Sequence, residues 1–171
     1  MNCESLQQIT LPSTLRTIQA SAFMRCGLKR IDVPQGVTFI DMQAFTENHD
    51  LKTVTLPSSL TEMGYIAFGN IAPDSVTCLA TVPPEASYAF MFSELSDATL
   101  TVPSGSEEAY KAAPGWKDFY NITAAIHNPL STLPAHNTAD HPTGAVYGTD
   151  GTRRHNLMPG LNIVDGRKVI K

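Results

Sequence analysis

Residues 28–48 read LKRIDVPQGVTFIDMQAFTEN, and the same pattern stands on both sides of this stretch. Residues 6–26 read LQQITLPSTLRTIQASAFMRC, and residues 51–71 read LKTVTLPSSLTEMGYIAFGNI. The apolar positions coincide in all three segments, and the Ala-Phe pair returns at residues 89–90. The phenylalanines of the four pairs are Phe23, Phe45, Phe68 and Phe90, so their spacing is constant to within one position. A fixed period in the low twenties is too short for a helix pair and predicts the stacked coils of a solenoid.

A predicted strand lies near the start of each repeat. Ile31 and Val33 alternate with Arg30 and Asp32, which is the period-2 pattern of a half-buried strand. The same pattern predicts further strands over residues 8–11, 53–56, 76–78 and 99–103. A proline after a strand cannot donate to the sheet ladder and therefore turns the chain. We expect the stacking of coils to align these strands in one parallel sheet.

The second half of each repeat returns to the core. Leu15 and Ile18 in the first repeat stand three positions apart, which fits either a short strand or an irregular extended segment. The Ala-Phe pair is then expected to fill the narrow end of the coil. Alanine permits close approach there, and phenylalanine supplies a large buried area.

The complete frame, Leu-x2-Ile-x-Leu-Pro-x2-Leu-x2-Ile-x3-Ala-Phe-x2-Cys, resembles the BspA-type leucine-rich repeat of bacterial surface proteins. The resemblance covers residues 3–92. It implies a mostly β repeat solenoid, in which leucine-rich-repeat coils of about 22–23 residues carry a parallel sheet. The frame lacks the asparagine ladder of ordinary leucine-rich repeats. Asn48 and Cys26 nevertheless stand near the equivalent corner, where a partial ladder is expected.

Three parts are predicted along the chain: a solenoid with its C-terminal cap over 1–123, a linker over 124–145, and a small β-hairpin module over 146–171. The linker is rich in proline, asparagine and histidine. Asp-Gly pairs at residues 150–151 and 165–166 lie between short apolar runs and indicate two hairpins. This module resembles short C-terminal modules of secreted proteins from the same bacteria, which are loosely related to type IX sorting domains.

The cap, at about 99–123, contains one predicted short helix. Ser106 is a good N-cap residue, two glutamates follow it in the first turn, and Pro114-Gly115 ends the helix. Trp116, Phe119 and Ile122 are expected to cover the last coil, since open solenoid ends need caps. This stretch resembles the C-terminal cap of BspA-type proteins.

The first residues continue the repeat. Cys3 lies one repeat before Cys26 and thus holds the last position of a preceding repeat. We expect further repeats and a signal peptide before Met1, or a dimer in which two N-terminal edges pair. Three cysteines cannot all pair within one molecule, and we expect free thiols that pack as small apolar groups.

Several classes of function are disfavoured by the sequence. A net charge of −4 argues against nucleic-acid binding, and no apolar run reaches the roughly 20 residues of a membrane span. A phosphate-binding glycine loop, a nucleophile elbow and a paired acid–base constellation are all missing from the sequence. His136, Asp140 and His141 stand in the proline-rich linker without metal-ligand spacing. We therefore predict that the chain is not an enzyme and holds no cofactor or metal.

The predicted strands also define a candidate binding face. Its residues are the outward positions Gln8, Thr10, Arg30, Asp32, Thr53, Thr55, Thr77, Thr99 and Thr101. Threonine simply suits exposed strands, so a solvated surface is one interpretation. The other is a polar docking surface for a protein or a glycan, because solenoids bind ligands along extended faces.

The family resemblance implies a non-catalytic, extracellular or cell-surface protein. Members of the family are adhesins that bind extracellular-matrix proteins or other bacteria. The implied partner is a host matrix protein, a host receptor, another bacterial surface or a glycan, and the oligomeric state stays open. The alternative is a structural spacer that presents another domain located upstream of residue 1.

Overall fold

The structure is a computed structural model that describes residues 3–125 and the strand residues 146–147, 153–154, 161–164 and 167–170. The chain divides into two compact units, Met1–His127 and Asn128–Lys171. In chain order, the first unit contains β1 (Thr17–Ile18), β2 (Arg30–Asp32), β3 (Phe39–Ile40), β4 (Thr53–Leu56), β5 (Glu62–Met63), β6 (Ser75–Cys78), β7 (Thr99–Val102), α1 (Glu107–Ala112) and β8 (Asn121–Ala124).

The main sheet has the order β2-β4-β6-β7-β8, and all of its strands are parallel. One coil separates each strand from the next, so equivalent residues of successive repeats stand side by side. Side chains alternate between the core and the surface along β4, β6 and β7. The predicted solenoid is therefore confirmed as a mostly β fold of about five turns with a short helix.

The strand predicted over residues 8–11 is wrong. The amide of Lys29 donates to the carbonyl of Gln7 at 3.1 Å, but the two segments then diverge. A cleft of about 280 Å³ lies between residues 8–11 and the second coil. Among the described residues this segment has another coil on one side only, and an outermost segment has fewer possible ladder hydrogen bonds.

A second parallel sheet forms the opposite wall, with the order β1-β3-β5. Each strand contains only two residues. The second residue of each strand is buried in the core, and these residues are Ile18, Ile40 and Met63. The segment that contains Leu15 and Ile18 thus ends in a short strand, which the residue spacing alone did not decide.

The Ala-Phe pairs close each coil. The amides of Phe23, Phe45 and Phe68 donate to alanine carbonyls of the next coil at 2.7–2.8 Å. Their rings stack in a continuous column with Phe90, with centroid separations of 5.3, 4.9 and 5.7 Å. The chain turns beside each pair through a residue in the left-handed region, and φ is 55°, 59°, 54° and 65° at Arg25, Glu47, Asn70 and Phe92.

The stretch after β7 covers the last full coil. Tyr110 of α1 and the following Trp116 and Phe119 are buried, as expected for a covering layer. Ser106 is the N-cap residue as predicted, since α1 begins at Glu107, but its side chain makes no cap hydrogen bond and its backbone is already helical. Sequence analysis also missed strand β8, which pairs with β7 as the next rung of the sheet.

The second unit contains β9 (Val146–Tyr147), β10 (Arg153–Arg154), β11 (Leu161–Val164) and β12 (Arg167–Ile170). These strands form an antiparallel sheet with the order β10-β9-β11-β12. The β9–β10 and β11–β12 pairs match the two expected hairpins. The Asp-Gly turns themselves, and the linker after residue 125, lie outside the described residues.

Candidate recognition surface

Two rows of polar side chains cross the outer side of the main sheet. The register places Arg30, Thr53, Ser75, Thr99 and Asn121 in one row. It places Asp32, Thr55, Thr77, Thr101 and Thr123 in the other. We call these ten residues the polar face. Between the two rows, Ile31, Val54, Val76 and Leu100 are fully buried and anchor the face to the core, whereas Ile122 of β8 is partly buried.

The polar face includes seven of the nine predicted binding residues. Gln8 and Thr10 do not belong to it, because residues 8–11 form no strand and line the cleft instead. The prediction omitted Ser75, Asn121 and Thr123. Moving one repeat along the chain from Thr53 would have found Ser75, and the same step from the β7 threonines would have found the other two.

Charge on the polar face is confined to one pair. Arg30 donates from Nε to Asp32 Oδ2 at 2.7 Å and from Nη2 to Oδ1 at 3.0 Å. Hydrogen bonding from this guanidinium, and secondarily from the Thr55 hydroxyl, lowers the pKa of Asp32 despite some desolvation. Both side chains are more than half exposed, so the pair adds little to stability. The other eight residues offer hydroxyl or amide groups, which donate and accept hydrogen bonds.

A second surface lies between the fourth coil and the covering layer. It is a cleft of about 410 Å³, whose lining includes Phe92, Tyr120, Glu94 and Asp118. Phe92 and Tyr120 are 69% and 80% exposed, which is unusual for large aromatic rings. Sequence reasoning missed this aromatic cleft. A signal was present, because Phe92 holds the position that Arg25, Glu47 and Asn70 occupy in earlier coils.

The buried thiol of Cys78 and the phenol of Tyr110 are in contact in the core of the first unit. Tyr110 donates from its hydroxyl to the Ala80 carbonyl at 2.8 Å, and that hydroxyl lies 3.1 Å from Cys78 Sγ. Burial raises the pKa of the Cys78 thiol and of the Tyr110 phenol. A thiol held protonated by burial is a poor nucleophile.

The described residues contain no cluster of three metal-ligating side chains. His136, Asp140 and His141 lie outside them. In the same part of the chain, no helix has the length and apolar character needed to cross a bilayer.

Comparison with protein families identifies the repeat. A family model described as BspA type leucine-rich repeat region matches residues 1–107 in six copies. The match extends beyond residue 92, where the resemblance seen in the sequence ended, and takes in β7. No curated protein matches the chain.

Proposed function

Because the chain belongs to the family of BspA-type leucine-rich repeat proteins, we propose that it is a non-catalytic, adhesin-like recognition protein of the cell surface or the secreted fraction. The partner is a protein of the host matrix, a host receptor or another bacterial surface. The observation that carries the proposal is the polar face, a continuous array of outward side chains held in register across five strands.

The polar face is suited to docking because it is stiff. Six of its ten side chains are threonines, and β-branched side chains have restricted χ1 rotation. Ordering them at an interface therefore loses less rotamer entropy than ordering lysine or glutamate. Fully buried residues beneath the face fix its shape before a partner arrives.

The size of the polar face limits the kind of complex. Five strands about 4.8 Å apart and about 13 Å long cover roughly 300 Å². A standard interface buries about 800 Å² on each partner. The partner must therefore also contact the flanks of the sheet, where exposed Lys29 and Lys52 precede β2 and β4. Lys29 favours a partner that carries carboxylates at the edge of its contact surface, whereas Lys52 already lies 3.7 Å from Asp74.

The test is binding of the purified chain to an immobilised panel of matrix proteins, host-cell surfaces, bacterial cells and glycans. A Thr55→Lys/Thr77→Lys variant places two charges at the centre of the polar face. We expect it to weaken binding at least tenfold. Thr38→Lys/Thr61→Lys is the matched control, because both threonines are exposed next to the opposite sheet.

Four results would count against the proposal. Equal binding by the two double variants would exclude the polar face, and loss of binding only on a Tyr120→Ser change would assign recognition to the aromatic cleft. Binding to immobilised glycans and to no protein would exclude the proposed partner class. Absence of binding to every member of the panel would favour the structural spacer.

A further inference from the structure

One column of the solenoid begins with two cysteines. Each member lies one repeat after the one before it, and the column contains Cys3, Cys26, Asn48, Ile71 and Ser93. Two consecutive members of this column, Ile71 and Ser93, are in direct contact across the coils. The amide of Ile71 donates to Ser93 Oγ at 3.2 Å.

Cys3 and Cys26 are in the same relationship. The amide of Gly27 donates to the carbonyl of Cys3 at 3.4 Å, which brings the two backbones together beside the thiols. A Cβ atom at Gly27 would lie 2.1 Å from the carbonyl oxygen of Glu4, so the absence of a side chain permits this approach.

The stacking of coils gives Cys3 and Cys26 a separation of the kind that a disulfide needs. Bridged cysteines have Cα atoms about 4.4–6.8 Å apart, and neighbouring strands are about 4.8 Å apart. Equivalent positions on stacked coils therefore have a suitable separation. Cys78 is the contrasting case, because it is fully buried beside Tyr110 and stands outside this column.

We propose that Cys3 and Cys26 are a thiol–disulfide pair, which a low-molecular-weight disulfide oxidises to a covalent link that joins the two ends of the first coil. Cys3 is exposed and Cys26 is buried, so the roles differ. The Cys3 thiolate attacks one sulfur of the disulfide RSSR and releases RSH after protonation. The Cys26 thiolate then attacks the Cys3 sulfur of the mixed disulfide and releases the second RSH. Two thiols are thus oxidised, and one RSSR is reduced to two RSH.

The disulfide would stabilise the coil whose first segment lacks sheet hydrogen bonds. Residues 8–11 make no sheet ladder, and the cleft of about 280 Å³ separates them from the second coil. A disulfide at the corner ties together the ends of segment 3–26, which contains these residues. Closing such a loop restricts the unfolded chain and holds the start of the first coil beside its end, where the second coil begins.

The experiment uses the full chain, equilibrated with glutathione disulfide or with reduced glutathione. Free thiols are then alkylated, and trypsin peptides are analysed by mass spectrometry. The oxidised sample should contain residues 1–16 joined to residues 26–29, while Cys78 is found as the free thiol. Cys78→Ser should form the same Cys3–Cys26 link as the wild type. Cys26→Ser should carry one glutathione on Cys3.

Oxidation should also raise the melting temperature by about 5–10 °C and slow native-state cleavage after Arg16, which lies within the loop. Cys26→Ser should show neither effect, and this distinguishes the link from a general effect of the oxidant. A wild-type chain that ends as a stable Cys3–glutathione adduct, or as a dimer joined through Cys3, would overturn the proposal. So would a Cys3–Cys26 link that changes neither measurement.

Discussion

The indole N–H of Trp116 donates to the carbonyl oxygen of Pro84 at 2.8 Å, bridging two distant parts of the chain. Tyr110 makes the equivalent bond to the carbonyl of Ala80. Both carbonyls belong to the fourth coil, at the point where its prolines come later than in the earlier repeats. Two aromatic side chains of the covering layer therefore supply donors to backbone groups of the last coil, in addition to shielding its core.

Replacing Trp116 by Phe tests this pairing. The ring remains apolar, but the Pro84 carbonyl loses its buried donor, and we expect a loss of about 1–3 kcal/mol in the free energy of unfolding. Urea unfolding followed by circular dichroism measures it. Tyr120→Phe is the control, because it removes a hydroxyl from an 80% exposed side chain and should leave the midpoint unchanged. Equal midpoints for the two variants would show that the indole bond contributes nothing.

Asn48 gives a second prediction, from the corner where the sequence indicated a partial ladder. Its Nδ2 donates to the carbonyls of Phe23 and Phe45 at 2.7 and 2.9 Å. Ser93 provides the corresponding bond to the carbonyl of Phe68 from the next coil. This explains why the column tolerates Ile71 between them.

Asn48→Ile copies Ile71 into a coil where no neighbour supplies the missing donors. We expect it to lower the free energy of unfolding by about 2–4 kcal/mol, since one buried and one partly buried carbonyl lose their partner. Asn48→Ser retains one donor and should lose less. Thermal unfolding of the three proteins ranks them, and an isoleucine variant as stable as the wild type would exclude the ladder as a source of stability.

The phenylalanine column predicts a gradient of effects along the solenoid. Phe68 is fully buried between the rings of Phe45 and Phe90, whereas Phe23 at the first coil is only partly buried. Phe68→Ala should therefore lower the free energy of unfolding by about 3–5 kcal/mol, and Phe23→Ala should lower it clearly less. Chemical denaturation of both variants provides the comparison. Equal losses would mean that the first coil is packed as tightly as the third.

The sequence predicted the coils because each apolar column has one physical role that every repeat shares. The sequence did not predict local structure that depends on contact with a neighbouring segment. Residues 8–11 have the alternation of a strand, but pairing also requires the second coil to follow them, and the two segments diverge. Strand β8 escaped notice because helix α1 replaces the usual frame before it. Ser106 has the right side chain for a cap but lies in helical backbone.

The same distinction, between local sequence pattern and contact with a neighbouring segment, applies to the two candidate surfaces. The inner threonines of the polar face follow directly from alternation within a strand. The aromatic cleft does not, because Phe92 and Tyr120 come together only when the covering layer folds back on the fourth coil. The spacing of residues in the sequence does not show that the covering layer contacts the fourth coil. An alignment of the coils does show that the residue at position 92 is unusual.

Phe92 provides the last prediction. Its φ of 65° places it in the left-handed region, which is unfavourable for residues other than glycine, asparagine and aspartate. The equivalent residue of the third coil is Asn70, and its φ is 54°. Phe92→Asn should therefore raise the free energy of unfolding by about 0.5–1 kcal/mol, because the ring that is lost is mostly exposed.

Tyr88→Asn is the matched control, since Tyr88 is 62% exposed but is not in the left-handed region. Differential scanning calorimetry should show a higher melting temperature for Phe92→Asn and no gain for Tyr88→Asn. A lower melting temperature for Phe92→Asn would mean that the ring packs against the cleft more strongly than its exposure indicates. If the variant is more stable, folding does not account for phenylalanine at this position, and the aromatic cleft becomes the surface to probe with ligands after the polar face.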